Sequence, residues 1–102
     1  MKAKRNNGYS TQIANMYITD DTPIILLSEA AEPRYKWLDG RPTKEVVGYH
    51  VICGVPNDTM EVRFEKEPKL PQFGSRVNFE GLEACEVNNR VYFRAKSIRK
   101  VG

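Results

Sequence analysis

The sequence predicts an all-β domain, on three observations. After Pro23 the chain falls into five strand-like runs, and several of them, the third most clearly, alternate apolar and polar residues with the period of a half-buried strand. Turn-forming residues separate these runs, at Asp39-Gly40, Pro56-Asn57-Asp58 and Asn88-Asn89. The longest connection, Glu67 to Ser75, contains Pro68, Pro71 and Gly74 and leaves no room for a long helix.

Residues 1–21 precede the strands as a polar N-terminal segment, basic at Lys2, Lys4 and Arg5. Tyr9, Ile13, Met16 and Tyr17 fit a weak helical spacing, and fraying is as well supported as order. The first strand runs from Pro23 to Trp37, long enough to be bent near Ala30-Ala31 or Pro33. Asp39-Gly40 then signals a hairpin into a second strand, Val46 to Val55, whose Val47, Tyr49, Val51, Cys53 and Val55 share one face. The third strand, Met60 to Lys66, puts Met60, Val62 and Phe64 on one side and Glu61, Arg63 and Glu65 on the other. In the fourth, Arg76 to Glu86, Val77 and Phe79 are in phase but Leu82 and Ala84 are one residue out, so a bend belongs at Gly81. The last strand, Arg90 to Val101, turns Val91, Phe93 and Ala95 inward. Five strands with bends and little helix suit a five-stranded antiparallel OB-like barrel over residues 22–102. An SH3-like barrel or a small open antiparallel sheet is the alternative.

The 102 residues fit one domain and exclude a large two-domain enzyme. With 40% hydrophobic and 28% charged residues, the chain is too apolar for wholesale disorder. The longest apolar run, Ile24 to Leu27, is far short of the ~20 residues that cross a bilayer. The basic start has no hydrophobic stretch behind it, so no secretory signal is expected and the location is expected to be cytoplasmic. Cys53 and Cys85 belong to no CxxC pair and there is one histidine, so reduced, buried thiols are expected rather than a zinc site. His50 has no nucleophile or acid at a believable spacing and no phosphate loop exists; the chain is expected to be no enzyme and to need no cofactor.

The binding chemistry concentrates in two places. From Arg90 to Gly102 there are five basic residues and no acidic one, against a whole-chain charge of +3. Arg90, Tyr92, Arg94 and Lys96 share the outward face of that strand. Cations neutralise phosphates, and an aromatic among them offers a base a stacking face worth ~1–3 kcal/mol. A charged strand face that merely blunts a sheet edge reads the same way. The second cluster, Arg34, Lys36, Arg41 and Lys44, surrounds the first hairpin, with Tyr35 and Trp37 interleaved. Those two rings either stack on a ligand or finish the core. Phe73, at a loop tip, either stacks or plugs an open end of the barrel. Glu61, Glu65, Glu67, Glu80, Glu83 and Glu86 collect on the third and fourth strands, which predicts an acidic side opposite a basic one.

From Pro23 to Val101 the order of these pieces resembles the single-stranded-DNA-binding proteins of filamentous phages, and the small OB-like proteins of bacterial plasmids and conjugative elements. The residues that carry the resemblance are the long first hairpin, the short link between strands three and four, Phe79-Glu80-Gly81-Leu82, and the ending Val91-Tyr92-Phe93-Arg94-Ala95-Lys96-Ser97-Ile98-Arg99-Lys100-Val101. The chain departs from that group in its modest net charge and its acidic strands. The resemblance implies a barrel that binds single strands with little sequence preference, often as a dimer. On the binding reading of these clusters, Arg34, Lys36, Arg41, Arg94 and Lys96 are expected to contact phosphates, Tyr35, Trp37 and Tyr92 to stack bases, and Tyr49 is a further stacking candidate. DNA is preferred to RNA on the resemblance alone. The alternative is a protein-interaction module that pairs an exposed strand edge with a partner.

Overall fold

The computed structural model describes residues 8–102. The elements are α1 (Thr11–Tyr17), β1 (Ile25–Leu26), β2 (Glu32–Leu38), β3 (Arg41–Val55), β4 (Asp58–Phe64), β5 (Val77–Glu80), β6 (Glu83–Val87), β7 (Arg90–Arg94) and β8 (Ser97–Lys100). The molecule is mostly β, as predicted. Among the described residues the strands form a six-stranded sheet, in the order β1-β3-β4-β7-β6 with β2 also on β3, and a second sheet of β5 and β8. They do not close into one continuous barrel.

The expected uniform antiparallel pairing needs correction, because the larger sheet is mixed. β4 and β7 run parallel, with Val62 opposite Phe93 and Arg63 opposite Arg94. The link after β4 and the successive strands β5 and β6, which lie in different sheets, precede β7, which returns beside β4 in the same direction.

Three predicted strands are each broken in two, and each break has a local cause. The first divides into β1 and β2 because Ser28 leaves the ladder: Leu27 N–H still donates to the Ile52 carbonyl at 3.0 Å, but Ile52 N–H donates to Ser28 Oγ at 2.8 Å. The fourth breaks at Gly81, as its phase shift predicted; Gly81 has φ +67°, a conformation that favours glycine. The last divides after Arg94, where Ala95 N–H still bonds to the Arg63 carbonyl and Lys96 N–H turns to Glu80. The chain thereby leaves β4 and joins β5.

The hairpin turns follow the sequence. Asp39 and Gly40 both have positive φ, as do Asn88 and Asn89, the requirement of a tight primed turn. Pro56 followed by Asn57 at φ +67° fits a type II turn. The second strand begins earlier than expected, at Arg41, so β2 and the first half of β3 form a two-stranded arm whose residues are mostly exposed.

The core lies between the two sheets and beneath α1. Leu26, Val51, Cys53 and Val62 are fully buried. Around them pack Met60, Phe64, Val77, Phe79, Ala84, Phe93, Ala95 and Ile98. Phe64 and Phe79 rings meet at 6.3 Å, a favourable aromatic separation. Alternation placed most of these correctly, but Phe73 does not plug the fold: it is 58% exposed at its loop.

Of the N-terminal segment, residues 8–21 are attached to the sheet, and Lys2, Lys4 and Arg5 lie outside the described residues. Ser10 and Ala84 exchange two backbone hydrogen bonds, at 2.8 and 3.0 Å. Ser10 Oγ then caps α1 by accepting from Ile13 N–H. Seven helical residues are too few to stand alone in water. Docking supplies the rest, with Ala14 buried in the core and Tyr17 donating a hydrogen bond to Glu86.

Candidate nucleic-acid interface

The outer face of β4, β7 and β6 carries the densest chemistry of the described residues. Strand register puts Arg63, Arg94 and Glu83 in one row across the three strands, with Tyr92 and Cys85 paired in another row. Alternation explains why these side chains face out: their neighbours Val62, Phe64, Phe93 and Ala84 fill the core.

Each arginine in the row is held twice. The Arg63 guanidinium carbon lies 4.6 Å from the centroid of the Tyr92 ring, and its Nε donates to Glu61 at 3.0 Å. The Arg94 guanidinium carbon lies 4.4 Å from the centroid of the Tyr9 ring, and its Nε donates to Glu83 at 2.8 Å. A guanidinium is attracted to an aromatic face by the ring quadrupole. Burial lowers the Arg63 pKa, but the Glu61 hydrogen bond and the nearby Tyr9 and Tyr92 more than offset it, so the value is raised. Arg63 is charged at any pH where the fold persists.

Tyr9 reaches this face because the Ser10–Ala84 bonds tie its neighbour to the edge of β6. Burial raises its hydroxyl pKa first, and the adjacent Cys85 raises it further, while Arg63 pulls the other way. Cys85 itself is 6% exposed yet stands outside the hydrophobic core cluster. The thiol was expected to be buried, and it is, but under the N-terminal segment rather than in the core. Cys53 lies within the core, where burial pushes its pKa up to about 12.

These residues border an open groove of about 800 Å³ that runs toward the root of the arm. Arg34, Arg63, Lys66, Arg94 and Lys96 line it, against the carboxylates of Glu65 and Glu83. The expected division into an acidic and a basic side therefore needs revision. Glu61 and Glu83 sit among the arginines and orient them, so the charges are interleaved with a positive excess in the groove.

The structure brings together some of the residues singled out in the sequence and separates others. Arg34, Arg94 and Lys96 meet in the groove, and Tyr92 lies under Arg63 beside it. Tyr35, Lys36, Trp37 and Arg41 belong to the arm. Trp37 is 64% exposed and Tyr35 44%, so neither ring finishes the core. Tyr49 is half-buried and shares the strand face of Val51 and Cys53. Tyr9, Arg63 and Lys66 were not singled out. Alternation puts Arg63 on the side opposite Val62 and Phe64, but its pairing with Arg94 depends on a parallel contact that no local pattern announces. Nothing in the sequence around Tyr9 marks it.

His50 lies away from the groove, its Nε2 3.7 Å from Glu32 and its Nδ1 buried with no hydrogen-bond partner among the described residues. Among the described residues no group of three His, Cys, Asp or Glu side chains is placed to hold a metal ion. No described helix is long and apolar enough to cross a membrane. Comparisons with protein-family models, with curated proteins and with solved structures return no match to the chain. The functional argument therefore rests on the residues themselves.

Proposed function

We propose that this protein binds single-stranded nucleic acid, DNA in the first instance, with low sequence specificity and on an OB-like scaffold. The observation that carries the reading is the groove: five cations converge on it, and aromatic rings stand beside it. Cations attract a phosphate chain without regard to sequence, and flat groups let any base stack. The arm extends the same chemistry, since Arg34 and Lys36 interleave with the exposed rings of Tyr35 and Trp37 on β2, and Arg41 stands across the hairpin at the start of β3. For the scaffold, the support is the order of pairing. A consecutive β1/β2–β3–β4 meander is followed by the parallel β4–β7 contact, and Leu26 and Ile24 bond to Ser75 and Val77 at the start of β5. This order supports the path of a partly open Greek-key barrel, a scaffold in which the face of the second and third strands and the loop between the first and second bind oligonucleotides.

A second reading has its own observation. The arm exposes Trp37, Leu38, Val46 and Val47 on a ribbon with no third strand among the described residues. Such a surface also suits pairing with a protein, including a second copy of the chain. Salt separates the two readings. We expect labelled oligo-dT to bind saturably and more tightly than duplex DNA. The logarithm of its affinity should fall linearly with that of salt, by about 0.7 per phosphate contacted. Fluorescence anisotropy measures this directly, with Trp37 emission as a second channel. Silence in both channels at low salt would overturn the nucleic-acid reading in favour of the protein one.

A further inference from the structure

A polyanion groove explains affinity for phosphates, but it leaves unexplained why two arginines are fixed so closely. Phosphate contacts on an exposed surface are made well by mobile lysines, which are strongly hydrated point charges. Here each guanidinium carbon stands over an aromatic ring, at 4.6 and 4.4 Å from the centroid, and each Nε donates to a carboxylate. Both arginines border the groove, and they are register partners on adjacent strands. Adjacent strands lie about 4.8 Å apart, so the two planar groups are near neighbours.

Resting on the single-strand reading, we propose that the guanidinium groups of Arg63 and Arg94 are the base-stacking surfaces of the groove. In this arrangement Tyr92 and Tyr9 are positioning residues. Each ring supports an arginine from beneath, and the base stacks on the arginine's opposite face. Glu61 and Glu83 fix the in-plane orientation and partly neutralise each arginine, so stacking rather than charge becomes its main contribution. Single-stranded nucleic acids are known to stack on arginine planes as well as on aromatic rings. The expectation that Tyr92 meets a base directly is thereby replaced by one in which its ring acts through Arg63. The N-terminal segment, which delivers Tyr9, becomes part of the binding site.

The proposal separates charge from planarity, and a lysine substitution tests that separation. Arg63→Lys with Arg94→Lys keeps both charges and removes both planes. The probes are oligo-dT and an abasic strand of the same length, which carries the same phosphates without bases. The wild type should prefer the dT strand, and the double variant should lose about tenfold of that preference for each platform removed. Its affinity for the abasic strand and its salt slope should stay unchanged. Tyr9→Leu removes one supporting ring while keeping both arginines, and should lower the same ratio; Tyr9→Phe should retain it. These two variants carry the test if the double lysine variant fails to fold. Unchanged dT-to-abasic ratios in the lysine variant and in Tyr9→Leu, with a wild type that binds oligo-dT, would overturn this inference alone. A wild type that binds neither strand would overturn the single-strand reading and the inference together.

Discussion

Phe93 shows how one position ties the sheet to the core. It pairs across β4 and β6 at once, opposite Val62 and Ala84, and it is almost fully buried. Truncating a buried Phe removes its transfer energy and leaves a cavity, so Phe93→Ala should destabilise by ~3–5 kcal/mol. Urea denaturation followed by circular dichroism measures it, and an unchanged midpoint would refute the inward register of β7. That register was legible in the sequence because alternation fixes which face a residue occupies. What alternation cannot reveal is what covers the other face. Trp37 and Cys85 illustrate the gap. A lone tryptophan looks like core until the arm is seen to project, and a lone cysteine looks like core until an N-terminal segment is seen lying over it. Both outcomes depend on contacts between residues far apart in the chain.

Among the elements, the breaks decide the architecture more than the strands do. Gly81 sits at φ +67°, and a Cβ built there would stand 3.2 Å from the Lys96 side chain. Gly81→Ala should therefore cost about 1–2 kcal/mol for the left-handed backbone, and more if Lys96 cannot move aside. A drop in melting temperature checks it, whereas an equally stable variant would show that the bend relaxes freely. Lys96 lines the groove, so a side chain at position 81 would also press on that cation. The Gly81 bend was foreseen from the change of phase between Phe79 and Leu82. The breaks at Ser28 and after Arg94 were not. There the chain leaves the ladder through a serine hydroxyl or a switch of partner strand, and neither disturbs the apolar pattern. The root of the arm has a similar hidden constraint. A Cβ at Gly48 would meet the Phe64 carbonyl oxygen at 3.0 Å, a tight contact that the β4 backbone would have to yield to by a few tenths of an ångström.

For the whole molecule, stability at alkaline pH follows from the core thiol. Cys53 is fully buried, and burial pushes its pKa from 9.0 to about 12. The folded state therefore holds its proton where the unfolded chain releases it. The resulting stabilisation is complete below pH 9 and is lost as the pH rises from 9 through 12. Three units correspond to at most about 4 kcal/mol. We expect the urea midpoint to fall steadily over that interval, and to fall less in Cys53→Ala. Identical pH profiles for the two proteins would show that other groups govern alkaline unfolding. At this scale the β class, the turns and most of the core were legible in the sequence. The mixed sheet, the projecting arm and the meeting of Tyr9, Arg63 and Arg94 were not, because each comes from long-range pairing that leaves no periodic trace.

The parallel contact between β4 and β7 also bears on how the chain reaches its native state. Val62 must find Phe93, thirty-one positions later, and no hairpin turn can zip that pair together. Pairings of such long sequence separation are slow to form, because the loop must close before any contact rewards it. On the ribosome, the β2–β3 and β3–β4 hairpins can assemble as they emerge, but one edge of β4 stays bare until β7 is made. The arginine row is also assembled in that late step, since Arg63 and Arg94 arrive on those two strands. A nascent chain thus carries an unpaired, sticky strand before it has a binding groove, and its yield in the cell will depend on how quickly the last third follows the first two.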